Sequence, residues 1–277
     1  MQLVRLEHRL LGLSLGLVLT TEFQRLNTMS DTIDVNEIFG PTLQGEGSAA
    51  GQHCLFVRLA YCNLECKWCD TAYTWAFTPD KASRTVSNIQ YDKEANIHPM
   101  AASDIVSELE KLYPIMDRPT NIIISGGEPL MQSRQLEPLV QALDKLDCMV
   151  HIETAGTLKP TEYLHQYVTQ YNVSPKLSHS GNRTSKRFKP QVLQWFASQS
   201  KSWFKFVVQE IGDLIEVDHI VQECNISIDR VMIMPEGIKP SDNLVVARRV
   251  AREAINRGYG ISFRTHSLLW PEVDRGR

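Results

Sequence analysis

Residues 54–71 read Cys-Leu-Phe-Val-Arg-Leu-Ala-Tyr-Cys-Asn-Leu-Glu-Cys-Lys-Trp-Cys-Asp-Thr. Cys54–Ala60 is an apolar run broken only by Arg58, the pattern of a buried strand. At its C-terminal end comes a loop carrying Cys62, Cys66 and Cys69 in C-x3-C-x2-C spacing. A strand that hands a reactive loop to one edge of a sheet is the opening unit of an α/β fold.

The chain downstream repeats the alternation. The residue pattern predicts a helix capped by Ser103, with Ile105, Val106, Leu109 and Leu112 on one face. A strand at Asn121–Ser125, a Gly-Gly turn, a helix from about Gln132 to Leu146 and a strand at Met149–Thr154 follow. Further strands are expected at Tyr171–Ser174, Phe204–Val208, Arg230–Met234 and Gly260–Arg264. Before the last of these, Ser241 is expected to cap a helix that turns Leu244, Ala247, Val250, Ala251, Ala254 and Ile255 inward and stops at Gly258. Strands alternating with helices imply βαβ units and a mainly parallel sheet. Residues 78–99 are polar, without apolar periodicity, and read as a long excursion.

Composition narrows the classes. The chain has 277 residues, 43% of them hydrophobic and 22% charged, with a formal net charge of −3. That suits a globular protein with an ample core and argues against a nucleic-acid partner, which would favour a basic excess. Leu10–Leu19 resembles a secretory h-region, but it is too short to span a bilayer as a helix and no small-x-small cleavage site follows. We read Met29 as the working start and residues 1–28 as a non-native upstream stretch or a dispensable extension, Met29–Arg277 as one domain, and the protein as cytoplasmic with no membrane partner.

Three of the six cysteines fall within eight residues. A disulfide framework would spread them through a smaller secreted chain, so the cluster indicates a metal site. Thiolates are the usual ligands of iron–sulfur cubanes, which take four. Three local cysteines leave one iron open to a small chelating molecule. A structural zinc site would need a fourth ligand close by, and neither His53 nor His98 lies at a zinc-finger spacing. Cys54, Cys148 and Cys224 sit in or beside apolar segments and read as packing residues.

Other motifs fall at predicted strand ends. Ser125-Gly126-Gly127-Glu128-Pro129 joins a strand to a helix, and its glycines let backbone approach a ligand. Ser174-Pro175-Lys176 and Met234-Pro235-Glu236-Gly237 each end a strand, as does the weaker Glu153-Thr154-Ala155-Gly156. Taken alone, each is an ordinary turn. The stretch Asn36–Gly47, ending Thr42-Leu43-Gln44-Gly45-Glu46-Gly47, could wrap a planar polar ligand, or be a glycine-rich turn before a strand.

C-x3-C-x2-C with an aromatic before the third cysteine resembles the radical S-adenosylmethionine superfamily. With TLQGEG, Arg58, Cys69-Asp70-Thr71, SGGEP, SPK and Thr265-His266…Trp270, residues 33–270 closely resemble the 7-carboxy-7-deazaguanine synthase family. That resemblance implies an incomplete (β/α) TIM-like barrel in which the excursion replaces an early helix. It implies a 4Fe–4S cluster on Cys62, Cys66 and Cys69, with S-adenosylmethionine bound at its open iron near Trp68. Gly127, Ser174–Lys176 and Met234–Gly237 would contact that cofactor. Leu43, Gln44, Gly45, Arg58 and Ser125 would bind a carboxylated pterin, with Arg58 facing its carboxylate, and Thr71 would ligate magnesium. A homodimer and an electron donor such as a flavodoxin are also implied. Pro271–Arg277 run past the point where the family can end. The enzymatic rival is an activating enzyme of glycyl-radical proteins, which gives no reason for TLQGEG or Arg58. The non-enzymatic rival is a zinc-stabilised binding module, which gives none for SGGEP.

Overall fold

A computed structural model of the chain describes residues 32–271 apart from Ile238. The expectations for residues 1–28 and for the tail beyond Pro271 lie outside the described residues. Among the described residues nine strands form one sheet in the order β3-β1-β2-β4-β5-β6-β7-β8-β9. They are β1 (Ile33–Leu43), β2 (His53–Leu59), β3 (His98–Met100), β4 (Asn121–Gly126), β5 (Met149–Thr154), β6 (Val168–Val173), β7 (Ser202–Val208), β8 (Val231–Pro235) and β9 (Gly260–Ile261). From β2 through β9 every pairing is parallel. β1 pairs antiparallel with both β2 and β3. β3 and β9 are the two unjoined edges, so the barrel is incomplete, as expected.

Among the described residues the helices are α1 (Pro79–Ala82), α2 (Ala102–Leu112), α3 (Glu137–Asp144), α4 (Glu162–Tyr167), α5 (Thr184–Arg187), α6 (Pro190–Ala197), α7 (Asp213–Glu223), α8 (Pro240–Asn256) and α9 (Thr265–Leu269). Period-two alternation divides the strands. Leu55, Val57, Leu59, Ile122, Ile124, Val150 and Ile152 pack with α2 and α3 in one continuous core. The intervening Phe56, Arg58, Ser125 and Glu153 look into the concave side, where a cavity opens. Cys148 and Cys224 are buried in that core, and Cys54 is buried as well.

Several elements differ from expectation. β1 is an eleven-residue strand where a glycine-containing loop was expected; its register shift between Phe39 and Thr42 lets Gly40-Pro41 bulge without ending the pairing. The Gln132–Leu146 helix divides into a 3-10 turn at Pro129–Gln132 and α3. The side chains of Gln132 and Ser133 are committed to tertiary bonds there, and Pro138 marks the true first turn. Neither predicted serine caps its helix: α2 starts beyond Ala101, and α8 starts at Pro240 with Lys239 at its cap.

On α8 the inward stripe is Asn243, Ala247, Val250 and Ala254, so Leu244 and Ile255 are exposed. Asn243 begins the stripe because its amide donates to the Pro235 carbonyl, which moves the buried face by one residue. Leu112 is likewise exposed on α2. The last strand stops at Ile261 because Ser262–Arg264 turn toward the β1–β2 loop. Residues 78–99 contain α1 and the start of β3 within an otherwise irregular course.

Candidate active site

At the C-terminal ends of the strands lies a cavity of about 520 Å³. Its wall includes Leu43, Gln44, Arg58, Cys62, Cys66, Trp68, Cys69, Thr71, Ser125, Gly127, Ser174, Lys176 and Met234 from the sequence-derived set. Gly45, Pro175, Pro235, Glu236 and Gly237 are not on that wall. Gly45 has another use. A Cβ there would fall 1.8 Å from the His266 Nδ1, and its carbonyl accepts from Thr265 N at 2.8 Å. The QGEG loop and the Thr265-His266 segment are therefore clasped backbone to backbone.

The cysteine loop is anchored on both sides. Glu128 N bonds Tyr61 O at 2.8 Å and Gly127 N bonds Leu59 O at 3.2 Å. A Cβ on Gly127 would lie 1.9 Å from the Tyr61 carbonyl, so only glycine lets β4 pass this close to the loop. Glu128 itself is fully buried and off the cavity wall. It accepts from Thr154 Oγ1 at 2.8 Å, Ala155 N at 2.7 Å and Leu130 N at 3.1 Å, tying the β4 turn to the end of β5. Burial pushes its carboxyl pKa up.

Each cysteine sulfur meets a hydrogen-bond donor. Leu64 N points at the Cys62 sulfur (3.4 Å), Asn182 Nδ2 at that of Cys66 (3.3 Å) and Trp75 Nε1 at that of Cys69 (3.3 Å). Burial raises all three thiol pKa values, that of Cys66 to about 11. In such a pocket the thiolates need a cationic partner. Among the described residues no three His, Cys, Asp or Glu side chains close on one point as a mononuclear site requires. Three thiolates spread around one cavity suit a cubane, in which they sit on separate irons. Trp68 Nε1 donates to His179 Nδ1 at 2.9 Å, and His179 Nε2 in turn faces the Val207 carbonyl at 3.1 Å. Lys176 Nζ lies 5.8 Å from the Trp68 ring and donates to Ser174 Oγ at 2.9 Å.

The opposite wall is aromatic and charged. Phe39 and Phe56 stack with centroids 4.8 Å apart. Arg58 donates to Glu37 at 2.7 Å and approaches Ser125 Oγ at 3.4 Å, while Tyr73 OH donates to the same Glu37 oxygen at 3.1 Å. Burial alone would lower the Arg58 pKa, but Tyr73 and Glu37 outweigh it and hold the guanidinium charged.

Sequence reasoning missed a second charged group. Lys205 on β7 donates to Glu46 at 2.5 Å and approaches Glu153 at 3.4 Å. Arg264 donates to Glu46 at 3.1 Å, to the Gly237 carbonyl at 3.3 Å, and to Asp70. Burial would raise the Glu46 pKa, yet Lys205, Arg264 and His266 hold it far below the usual carboxylate range. Gln44 Nε2 and Asn172 Nδ2 both donate to Glu153 Oε1 at 2.9 Å. The available signal was Lys205 standing alone in the apolar run Ser202–Val208, the same signal that marked Arg58.

Residues 43–196 match the family model described as a 4Fe-4S single cluster domain. A 7-carboxy-7-deazaguanine synthase from Pyrobaculum aerophilum is 36% identical over 239 residues, covering 86% of this chain and 95% of that protein. The chain belongs to the 7-carboxy-7-deazaguanine synthase family. The family member from Escherichia coli K12 is 30% identical, with 85% of this chain and 97% of that protein covered. The crystal structure of QueE from Escherichia coli superposes with a TM-score of 0.61 at 25% identity, covering 85% of this chain and 95% of that one. The incomplete barrel and the single-cluster loop are thus properties this chain has in common with the synthase family.

Proposed function

We propose that this chain converts 6-carboxy-5,6,7,8-tetrahydropterin to 7-carboxy-7-deazaguanine, a radical ring contraction with loss of ammonia on the route to queuosine; its relatives are named as synthases of that product. The enzyme is a carbon–nitrogen lyase of the radical S-adenosylmethionine type. One observation carries the reading: the three cysteine sulfurs and the Gln44–Arg58 wall line the same cavity. When bound, the cluster and S-adenosylmethionine supply the single electron and the radical that removes a substrate hydrogen.

In this reading Cys62, Cys66 and Cys69 hold the cluster, and Trp68, Gly127, Ser174 and Lys176 shape the S-adenosylmethionine site, with Met234 closing it. Pro175, Pro235, Glu236 and Gly237 act from behind the wall by setting the backbone of those turns. The flat Phe39–Phe56 pair suits a planar bicyclic substrate. Gln44 and Ser125 address its polar edge, and the Arg58 fork faces its carboxylate. Leu43 and the Gly45 backbone form the loop that covers it. Thr71 offers one hydroxyl oxygen on the wall, a fit for a magnesium ion otherwise held by water and substrate. The reading further takes a one-electron donor such as a flavodoxin, a homodimer and a cytoplasmic setting. Among the described residues no helix is long and apolar enough to cross a membrane.

The test is anaerobic turnover of the carboxylated tetrahydropterin with S-adenosylmethionine and dithionite, reading deazaguanine and 5′-deoxyadenosine. Both products should form, and Cys66→Ala should abolish both. Deoxyadenosine without deazaguanine would sink the substrate and leave the cofactor chemistry standing. A fully active Cys66→Ala protein would overturn the whole reading.

A further inference from the structure

We infer that Asn182 and Trp75 tune the reduction potential of the cluster by donating hydrogen bonds to two of its thiolate ligands. The inference rests on the cluster reading above and concerns residues that bear none of the roles assigned there. Trp75 is 1% exposed, and its indole N–H, a donor with no acceptor capacity, lies 3.3 Å from the Cys69 sulfur. The Asn182 amide is oriented by its other end. Its Oδ1 accepts from Glu65 N at 2.9 Å, so the Nδ2 group must face the Cys66 sulfur at 3.3 Å and Ser180 Oγ at 3.3 Å. Gly181, with φ of +79°, makes the turn that delivers Asn182 to this place.

The physical consequence has one sign. Adding an electron increases the negative charge on the thiolates, so a donor aimed at a sulfur stabilises the reduced state more than the oxidised one. Removing it makes the cluster harder to reduce. Among the described residues the Cys62 sulfur receives only a backbone donor, Leu64 N, which side-chain substitution leaves in place. Thr71 Oγ1 lies farther from the Cys69 sulfur, at 3.6 Å, so Asn182 and Trp75 are the closer side-chain donors that mutation can isolate.

The experiment is a mediated redox titration of the reconstituted cluster, followed by electron paramagnetic resonance, on wild type, Trp75→Phe and Asn182→Asp. Trp75→Phe keeps a buried aromatic ring without the N–H. Asn182→Asp keeps the acceptor for Glu65 N and replaces the donor by a negative oxygen. Both proteins should bind wild-type amounts of iron. Each should shift the one-electron equilibrium toward the oxidised cluster by about three-fold to ten-fold, the upper figure being about 59 mV, with Asn182→Asp the larger. Loaded variants with unchanged potentials overturn the inference. If only one variant takes up iron, its potential decides. If neither does, the two residues serve folding of the loop and the inference falls. Wild-type protein that cannot be loaded at all would instead defeat the cluster reading.

Discussion

Arg58 is a permanent charge set into an apolar strand, 16% exposed as a side chain and braced by Glu37, Tyr73 and Ser125. A lysine there would keep the charge and lose the planar fork. Arg58→Lys should raise KM for the carboxylated pterin by ten-fold or more, as expected from about 1.5–3 kcal/mol for a hydrogen bond to a charged group. Deoxyadenosine formation without the pterin should be unchanged; an unaltered KM would remove Arg58 from the substrate site. His151 behaves differently. It lies buried on β5, its Nδ1 is without a partner among the described residues, and burial pushes its pKa down to about 4. Unfolded, it titrates near 6.5. Between those values the unfolded chain binds the extra proton, so stability is lost as pH falls from about 6.5 toward 4. Unfolding free energies from urea denaturation at pH 7 and 4.5 should therefore differ less in His151→Leu than in wild type, by up to about 3 kcal/mol; equal differences would show that His151 does not stay neutral. Arg58 was legible because a lone charge in an apolar run demands a reason. Lys205 carried the same mark, but its partners Glu46 and Glu153 stand 159 and 52 residues away, and no local spacing connects them.

At the scale of elements, Gln132 joins three pieces of chain. Its Oε1 accepts from Asp34 N at 2.7 Å, and its Nε2 donates to Asp34 O and Ala60 O at 3.1 and 3.2 Å. β1, the end of β2 and the turn after β4 are thus held to one another beneath the cysteine loop. Gln132→Leu would strand the half-buried Asp34 N–H and the buried Ala60 carbonyl. The expected loss is about 2–4 kcal/mol of unfolding free energy, measured by urea denaturation; a loss below about 0.5 kcal/mol, the range of ordinary surface changes, would contradict it. This same brace shows why parts of the fold were hidden in the sequence. A helix from Gln132 to Leu146 satisfied local periodicity, but tertiary bonds from Gln132 and Ser133 hold the first turn apart from α3. β1 escaped notice because Gly40, Pro41, Gly45 and Gly47 mimic loop composition, whereas pairing on both edges makes it a strand. The parallel strands β2, β4, β5 and β7 were legible because burial on both faces leaves near-continuous apolar runs.

Across the whole molecule, Arg264 links segments far apart in the chain. It bonds Asp70 beside the cysteine loop, Glu46 in the QGEG loop and the Gly237 carbonyl after β8. Burial opposes its charge, but Asp70 and Glu46 outweigh that and raise its pKa. The barrel is open between β3 and β9, so among the described residues no hydrogen-bonded strand pair closes the side where these segments meet. Contacts such as Arg264–Glu46, Thr265 N–Gly45 O and Gly47 N–Ser262 Oγ at 2.8 Å take its place. Glu46 keeps Lys205 as a partner when Arg264 is removed, so the fold should survive while the clasp loosens. Arg264→Met should therefore speed amide exchange at residues 44–50 and 262–270 by about ten-fold, corresponding to about 1.4 kcal/mol of local opening, while exchange in β5 and β6 stays as in wild type. Because the same side chain reaches both the QGEG loop and the turn after β8, the proposed function predicts that KM should rise for the pterin and for S-adenosylmethionine together. A variant with unaltered exchange in both segments would show that the backbone bonds and the Gly45–His266 contact hold the clasp unaided, and that Arg264 contributes charge alone.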